Sequence, residues 1–113
     1  MTPTPQPEID PTSAAQRVRD GEALLVDVRE DDEWAAGHAP HAVHHALGGL
    51  DPAALPTGRT VIAVCRSGAR SSRAVAALTA AGVYAANLTG GMQAWQAAGL
   101  PVVTADESPG RVI

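Results

Sequence analysis

Val61-Ile62-Ala63-Val64-Cys65-Arg66-Ser67-Gly68-Ala69-Arg70-Ser71 decides how this chain folds. Four apolar, mostly β-branched residues in an unbroken run read as a strand buried on both faces, as in a parallel sheet. A short loop with one glycine follows, and then an Ala-rich segment that predicts a helix to about Ala81, stopped by Gly82. The chain's single cysteine stands where the strand ends. Two arginines within the next five positions and a helix N-terminus both favour the thiolate, whose reference pKa as a thiol is about 8.5. A buried, inert thiol is the plainer reading of a lone cysteine; the cationic setting weighs against it.

The same alternation extends to either side. Asp10-Pro11 supplies a helix cap and a first-turn proline, predicting a helix to Arg19 or Asp20 with Gly21 as its stop. Leu24 to Val28 reads as a second buried strand, Glu33 to Ala36 as a helical turn closed by Gly37, and Ala42 to Leu47 as a weaker strand. Asp51-Pro52 repeats the cap-and-proline device before Pro56. Val83 to Leu88 predicts a further strand and Met92 to Ala98 a final helix ended by Gly99. Strands alternating with helices imply an α/β fold with a mostly parallel sheet covered on both faces. Ligands in such folds bind beyond the carboxyl ends of the strands, and Cys65 lies at one of them.

Length and composition agree with one domain. The chain has 113 residues, 45% of them hydrophobic, with no Phe, so the core rests on Val, Leu, Ile and two tryptophans. Pro- and Thr-rich residues 1–8 and residues 104–113 read as tails around a domain at 9–103. The net charge of −4 disfavours nucleic acid and anionic membranes as partners. One cysteine excludes an internal disulfide, a CxxC pair and a cysteine-rich zinc site. The N-terminus lacks the basic and apolar regions of a secretory signal, and no apolar run approaches the ~20 residues of a membrane span. A reduced, cytoplasmic setting is the expectation.

The loop after Cys65 has the makings of an anion cradle. Backbone N–H groups around a glycine turn can converge on one point, and the helix beginning near Arg70 adds the positive end of its dipole. Such a cradle would hold a thiolate, an attached persulfide or a bound oxyanion. Gly68 permits the turn; Arg66 and Arg70 suit two-point pairing with oxyanion oxygens. A cation at a helix start opposes the dipole, so Arg70 makes sense if it binds an anion or braces the loop.

With these residues in view the chain resembles the rhodanese-like sulfurtransferases, as a single rhodanese domain. Asp27-Val28-Arg29, Glu33-Trp34 and Gly37-His38 are similar to that family's first box. Cys65-Arg66-Ser67-Gly68-Ala69-Arg70-Ser71 is similar to its active-site loop, and Leu88-Thr89-Gly90-Gly91-Met92 with Trp95 and Gly99-Leu100-Pro101 to its C-terminal segment. The resemblance runs from about Ile9 to Val102. It implies a five-stranded sheet, Cys65 as nucleophile, residues 66–71 as the substrate-binding loop and no cofactor. Asp27, Arg29, Glu33 and His38 are expected to support the site structurally. Two positions depart from the pattern: His41 stands where the family usually has Gly, and His44-His45 where it more often has Asn and a small or apolar residue.

The histidines at 38, 41, 44 and 45 invite a metal reading, but a strand over Val43–Ala46 would point His44 and His45 to opposite faces, and no metal is expected. Trp34 and Trp95 read as packing residues. The function expected is sulfur transfer from thiosulfate or a similar donor through a Cys65 persulfide to a thiol, cyanide or a protein acceptor. Two alternatives remain open. A non-enzymatic or sulfur-carrier module would use the same fold, but the modules that only bind typically lack the cysteine. Phosphatases on this fold carry five residues between Cys and Arg, whereas here four intervene, Arg66 to Ala69, and Val64 rather than His precedes.

Overall fold

A computed structural model describes residues 6–113. Five strands, β1 (Glu8–Ile9), β2 (Ala23–Asp27), β3 (Val43–His44), β4 (Thr60–Val64) and β5 (Ala85–Leu88), form one sheet in the order β1-β5-β4-β2-β3. Every pairing is parallel. Four helices, α1 (Pro11–Arg19), α2 (Asp31–Ala36), α3 (Ala69–Ala80) and α4 (Gly91–Ala97), connect or follow the strands. Two short 3-10 turns, Leu47–Gly49 and Pro52–Ala54, fill the path from β3 to β4.

The helix starts follow the local chemistry of the chain. Asp10 caps α1 by accepting from the Ser13 N–H at 3.0 Å, with Pro11 as the first helical residue. Glu30 and Glu33 form a reciprocal capping box at the start of α2. Strands β2 and β4 pair in register from Ala23↔Thr60 to Asp27↔Val64 and are buried along almost their whole length. Their alternate side chains feed two cores. Leu24, Val26, Val61 and Ala63 pack with Ala74, Val75 and Leu78 of α3. Leu25, Ile62 and Val64 pack with Ala14 and Ala15 of α1 and with Met92 and Trp95 of α4. An α/β sheet covered on both faces is therefore what the apolar runs specify.

This order places a site. The connection leaving β2 runs outward to β3, and the connection leaving β4 runs the other way to β5. Between the carboxyl ends of these neighbouring strands the chain diverges, the topological switch point at which α/β sheets bind ligands. Cys65 is the first residue beyond β4 at that point.

The chain ends are more structured than the composition suggests. Residues 1–5 of the expected N-terminal tail lie outside the described residues. Beyond them, the Pro7 carbonyl accepts from the Asn87 N–H at 2.9 Å, and Glu8–Ile9 add β1 to the edge of β5. A two-residue strand offers no periodicity to read. At the other end, residues 104–113 turn back onto the domain. Val103 pairs with both His38 and Pro109, the Gly110 N–H donates to Val102 and the Arg111 N–H to Ala36 at 3.0 Å. Val112 packs against the core on the α1 and α4 face. The strand expected over Ala42–Leu47 shortens to Val43–His44.

Candidate active site

Cys65 is 1% exposed, and its sulfur is ringed by donors. The Gly68 N–H donates to Sγ at 3.0 Å and the Ser71 hydroxyl lies 3.2 Å from it. Gly68 has φ +120°, a conformation open to glycine alone at little cost, and this turn aims its N–H back at the sulfur. Burial pushes the Cys65 thiol up. The Ser71 side chain and the backbone N–H groups of Ser71, Gly68 and Ser67 favour the charged form and outweigh it, so the thiol lies below its ordinary value.

The carbonyls of the same loop face the other way. Cys65 O accepts from the Met92 N–H at 2.8 Å and Arg66 O from the Gln93 N–H at 3.0 Å. The first turn of α4 thus takes the first two carbonyls of the loop, while the Gly68 N–H turns to the sulfur. The close approach depends on Gly91, where a Cβ would stand 2.5 Å from both carbonyl oxygens. That is the physical content of the Gly90-Gly91 pair in the sequence.

Arg70 does not point a free guanidinium at the cradle. Its Nη1 and Nη2 donate to Glu33 Oε1 and Oε2 at 2.6 and 2.8 Å, a two-point pair joining the start of α3 to α2. The hydrogen bond from Arg70 holds the Glu33 carboxyl down at about 2, and the same bond raises Arg70. Of the two roles the sequence allows for Arg70, bracing the loop is the one this geometry supports. Arg66 is exposed at the rim, its Nε donating to the Ile113 carbonyl at 3.1 Å. Ser67 and Ala69 are exposed loop positions.

The other expected support residues form a separate group after β2. Asp27 and Arg29 are fully buried and paired. Arg29 Nε donates to Asp27 Oδ1 at 3.0 Å, and Nη2 donates to Asp27 Oδ2 and to the Gly37 carbonyl, both at 2.8 Å. His38 Nδ1 donates to the Trp34 carbonyl at 2.9 Å and stacks on the Trp34 ring with centroids 3.6 Å apart. His44 stacks on Trp34 as well, at 4.9 Å, and its Nε2 donates to the Arg29 carbonyl at 2.6 Å. The two histidines of this stack fix the turn that carries Glu33. Among the described residues no three of His, Cys, Asp or Glu converge as a metal site would require, and no hydrogen bond joins Asp27, Arg29 or His38 to Cys65.

His41 has φ +66°, the left-handed conformation. The position where the resembling family usually has Gly is thus one that favours Gly, and this chain holds a bulky residue there under strain.

One residue of the site escapes the sequence reading. Asn87, in β5 and 6% exposed, lies beneath the cysteine loop. Its Oδ1 accepts from the Ser71 hydroxyl at 2.6 Å and its Nδ2 donates to the Gly68 carbonyl at 3.2 Å. The available signal was a polar amide in the buried run Ala85-Ala86-Asn87-Leu88. A buried amide is expensive unless it is hydrogen-bonded, so its position implies partners.

Comparison with known proteins agrees with this geometry. The rhodanese-like domain family matches residues 10–98. A protein of Allochromatium vinosum named sulfurtransferase is 43% identical over 101 residues, covering 85% of this chain and 94% of that protein. A longer Synechocystis protein is 38% identical over 104 residues; the match takes in 89% of this chain and 58% of that one. Among solved structures, a rhodanese-related protein from Thermoplasma volcanium superposes with a TM-score of 0.80 at 25% identity, covering 86% of this chain and 97% of the other.

Proposed function

This chain belongs to the rhodanese-like domain family, and from that premise we propose that it is a sulfurtransferase that carries sulfane sulfur on Cys65. The observation that carries the reading is the ring of donors around Sγ: the Gly68 N–H at 3.0 Å and the Ser71 hydroxyl at 3.2 Å, in a loop whose first two carbonyls, those of Cys65 and Arg66, are turned toward α4. Fixed donors aimed at a sulfur stabilise its negative charge without reorganising during the reaction.

The reaction proposed is a double displacement with a thiosulfate-like donor. The Cys65 thiolate attacks the outer sulfur of thiosulfate, a bond forms between Sγ and that sulfur, and the bond to the sulfonate sulfur breaks. The bonding pair leaves with sulfite, and Cys65 holds a persulfide anion. An acceptor thiolate or cyanide then attacks the outer sulfur, and the Cys65 thiolate departs into the same donors. The leaving groups, sulfite in the first half-reaction and the Cys65 thiolate in the second, depart as stable anions, so neither step needs a buried general acid. Arg66, at the rim, offers its guanidinium to the sulfonate of an arriving donor.

The distinguishing test is the mass of the intact protein after treatment with thiosulfate. It should gain one sulfur atom, removed by cyanide with release of thiocyanate, and Cys65→Ser should show neither the gain nor turnover. Turnover surviving in Cys65→Ser overturns the mechanism. Hydrolysis of p-nitrophenyl phosphate that disappears in Cys65→Ser would instead favour the phosphatase chemistry.

A further inference from the structure

The Ser71 hydroxyl has one proton to give and three acceptors within reach. Asn87 Oδ1 is at 2.6 Å, Cys65 Sγ at 3.2 Å and the Gly68 carbonyl at 3.2 Å. A hydroxyl donates to one partner at a time and accepts from others. The Asn87 amide has little freedom to compromise. The Gly68 carbonyl can only accept, so Nδ2 must face it and Oδ1 must face Ser71. Asn87 is therefore a permanent acceptor for the Ser71 hydroxyl, and it competes with the sulfur for the same proton.

We propose that Asn87 is a positioning residue for Cys65, holding the Ser71 hydroxyl while Sγ is uncharged and yielding it to Sγ when the thiolate forms. With Cys65 as a thiol, S–H donates to Ser71 Oγ, and Ser71 O–H donates to Asn87 Oδ1. When the thiol ionises its proton passes to solvent, and the Ser71 hydroxyl keeps its own proton but rotates to Sγ. No atom is transferred between Ser71 and Asn87. In a persulfide the charge sits on the outer sulfur, so Sγ is again neutral and the hydroxyl returns to Asn87. That last clause rests on the sulfurtransferase reading; the thiol and thiolate states do not.

The competition predicts changes of opposite sign. Ser71→Ala removes a donor to the thiolate, whereas Asn87→Leu removes the competitor and leaves Ser71 to Sγ alone, in a side chain of similar shape. A merely structural Asn87, one that only holds the loop, predicts the same sign for both variants, because loosening Gly68 and Ser71 also weakens the thiolate. The charged pair near the sulfur, Arg70 with Glu33, is untouched in either variant.

The test reads the Cys65 thiol pKa from the ultraviolet absorbance of the thiolate and from iodoacetamide rates against pH, with no sulfur donor present. Ser71→Ala should raise it by about one pH unit and Asn87→Leu lower it by about half a unit, in line with one hydrogen bond to a charged group. In the Ser71→Ala background, Asn87→Leu should change nothing further, because Asn87 acts through Ser71. A rise in Asn87→Leu, or no change, overturns the proposal. Should Asn87→Leu fail to fold, the wild-type protein answers by nuclear magnetic resonance. The Asn87 side-chain carbonyl shift should titrate with the Cys65 thiol, and a flat shift overturns the proposal. Since no donor is used, the outcome stands apart from whether the protein transfers sulfur, which the thiosulfate mass gain decides.

Discussion

Two arginine–carboxylate pairs follow strand β2 and the cysteine loop and serve different ends. Asp27 and Arg29 are two residues apart, both 0% exposed, and bonded at 2.8 Å. Glu33 and Arg70 are 37 residues apart, 13% and 27% exposed, and bonded at 2.6 Å. The buried pair shapes its own loop: the Arg29 N–H also reaches Asp27 Oδ1 at 3.0 Å, and Nη2 fixes the Gly37 carbonyl. The partly exposed pair ties the end of the cysteine loop to α2. Similar chemistry at different depths thus gives one pair a hold on the fold and the other a hold on the site.

Breaking each pair should separate the two roles. Arg29→Ala leaves the Asp27 carboxylate buried and unpaired and should cost about 3–5 kcal/mol in urea unfolding. That is a large share of a domain stability of about 5–15 kcal/mol. Replacing both members with apolar residues, Asp27→Leu with Arg29→Met, should recover much of the loss, because no lone charge remains buried. A loss below about 1 kcal/mol for Arg29→Ala would erase the contrast.

Arg70→Ala should do the reverse. Stability should fall by about 1–3 kcal/mol, less than for the fully buried pair, while kcat for sulfur transfer falls about tenfold or more as the loop loses its brace. Arg70→Lys should not restore it, since an ammonium cannot pair with both Glu33 oxygens. The pH dependence sharpens the same point. The Glu33 carboxyl is held at about 2 against an ordinary value of 4.5. A depressed carboxyl stabilises the folded chain above its unfolded value and loses that contribution as pH falls toward the folded one. The difference in thermal stability between wild type and Glu33→Gln should stay constant above pH 4.5 and close between 4.5 and about 2. A difference that persists at pH 2 would mean the carboxylate charge is not what holds the loop.

The smallest effect concerns the turn at Pro40–His41, between α2 and β3. His41 holds a left-handed φ of +66°, so His41→Gly should raise stability, by about 1 kcal/mol at most after the added unfolded-state entropy. A loss of stability on that change would show that the His41 side chain earns its strain through contacts.

The two pairs also divide what could be read in advance. Asp27 and Arg29 are neighbours in the chain, and a turn after a buried strand was enough to mark them as structural. Glu33 and Arg70 both stood among the expected site residues, yet nothing local joins residues 37 positions apart. Asn87 was missed for the same reason: its partners Ser71 and Gly68 lie 16 and 19 residues earlier in the chain. The C-terminal residues read as a tail because their composition is polar, and their backbone pairing with Ala36 and Val102 leaves no mark in composition.

By itself the sequence determined the alternation of strands and helices, the position of Cys65 at a strand end and the glycine turn behind it. Apolar runs, capping residues and glycines act over a few residues, and their energetics are local. The tertiary structure alone decided which strands are neighbours, that β1 exists, that Arg70 meets Glu33 and that Asn87 stands beneath the cysteine loop. Those outcomes follow from strand order and register, which are set by how whole elements bury their apolar faces together, and no stretch of chain carries that information alone.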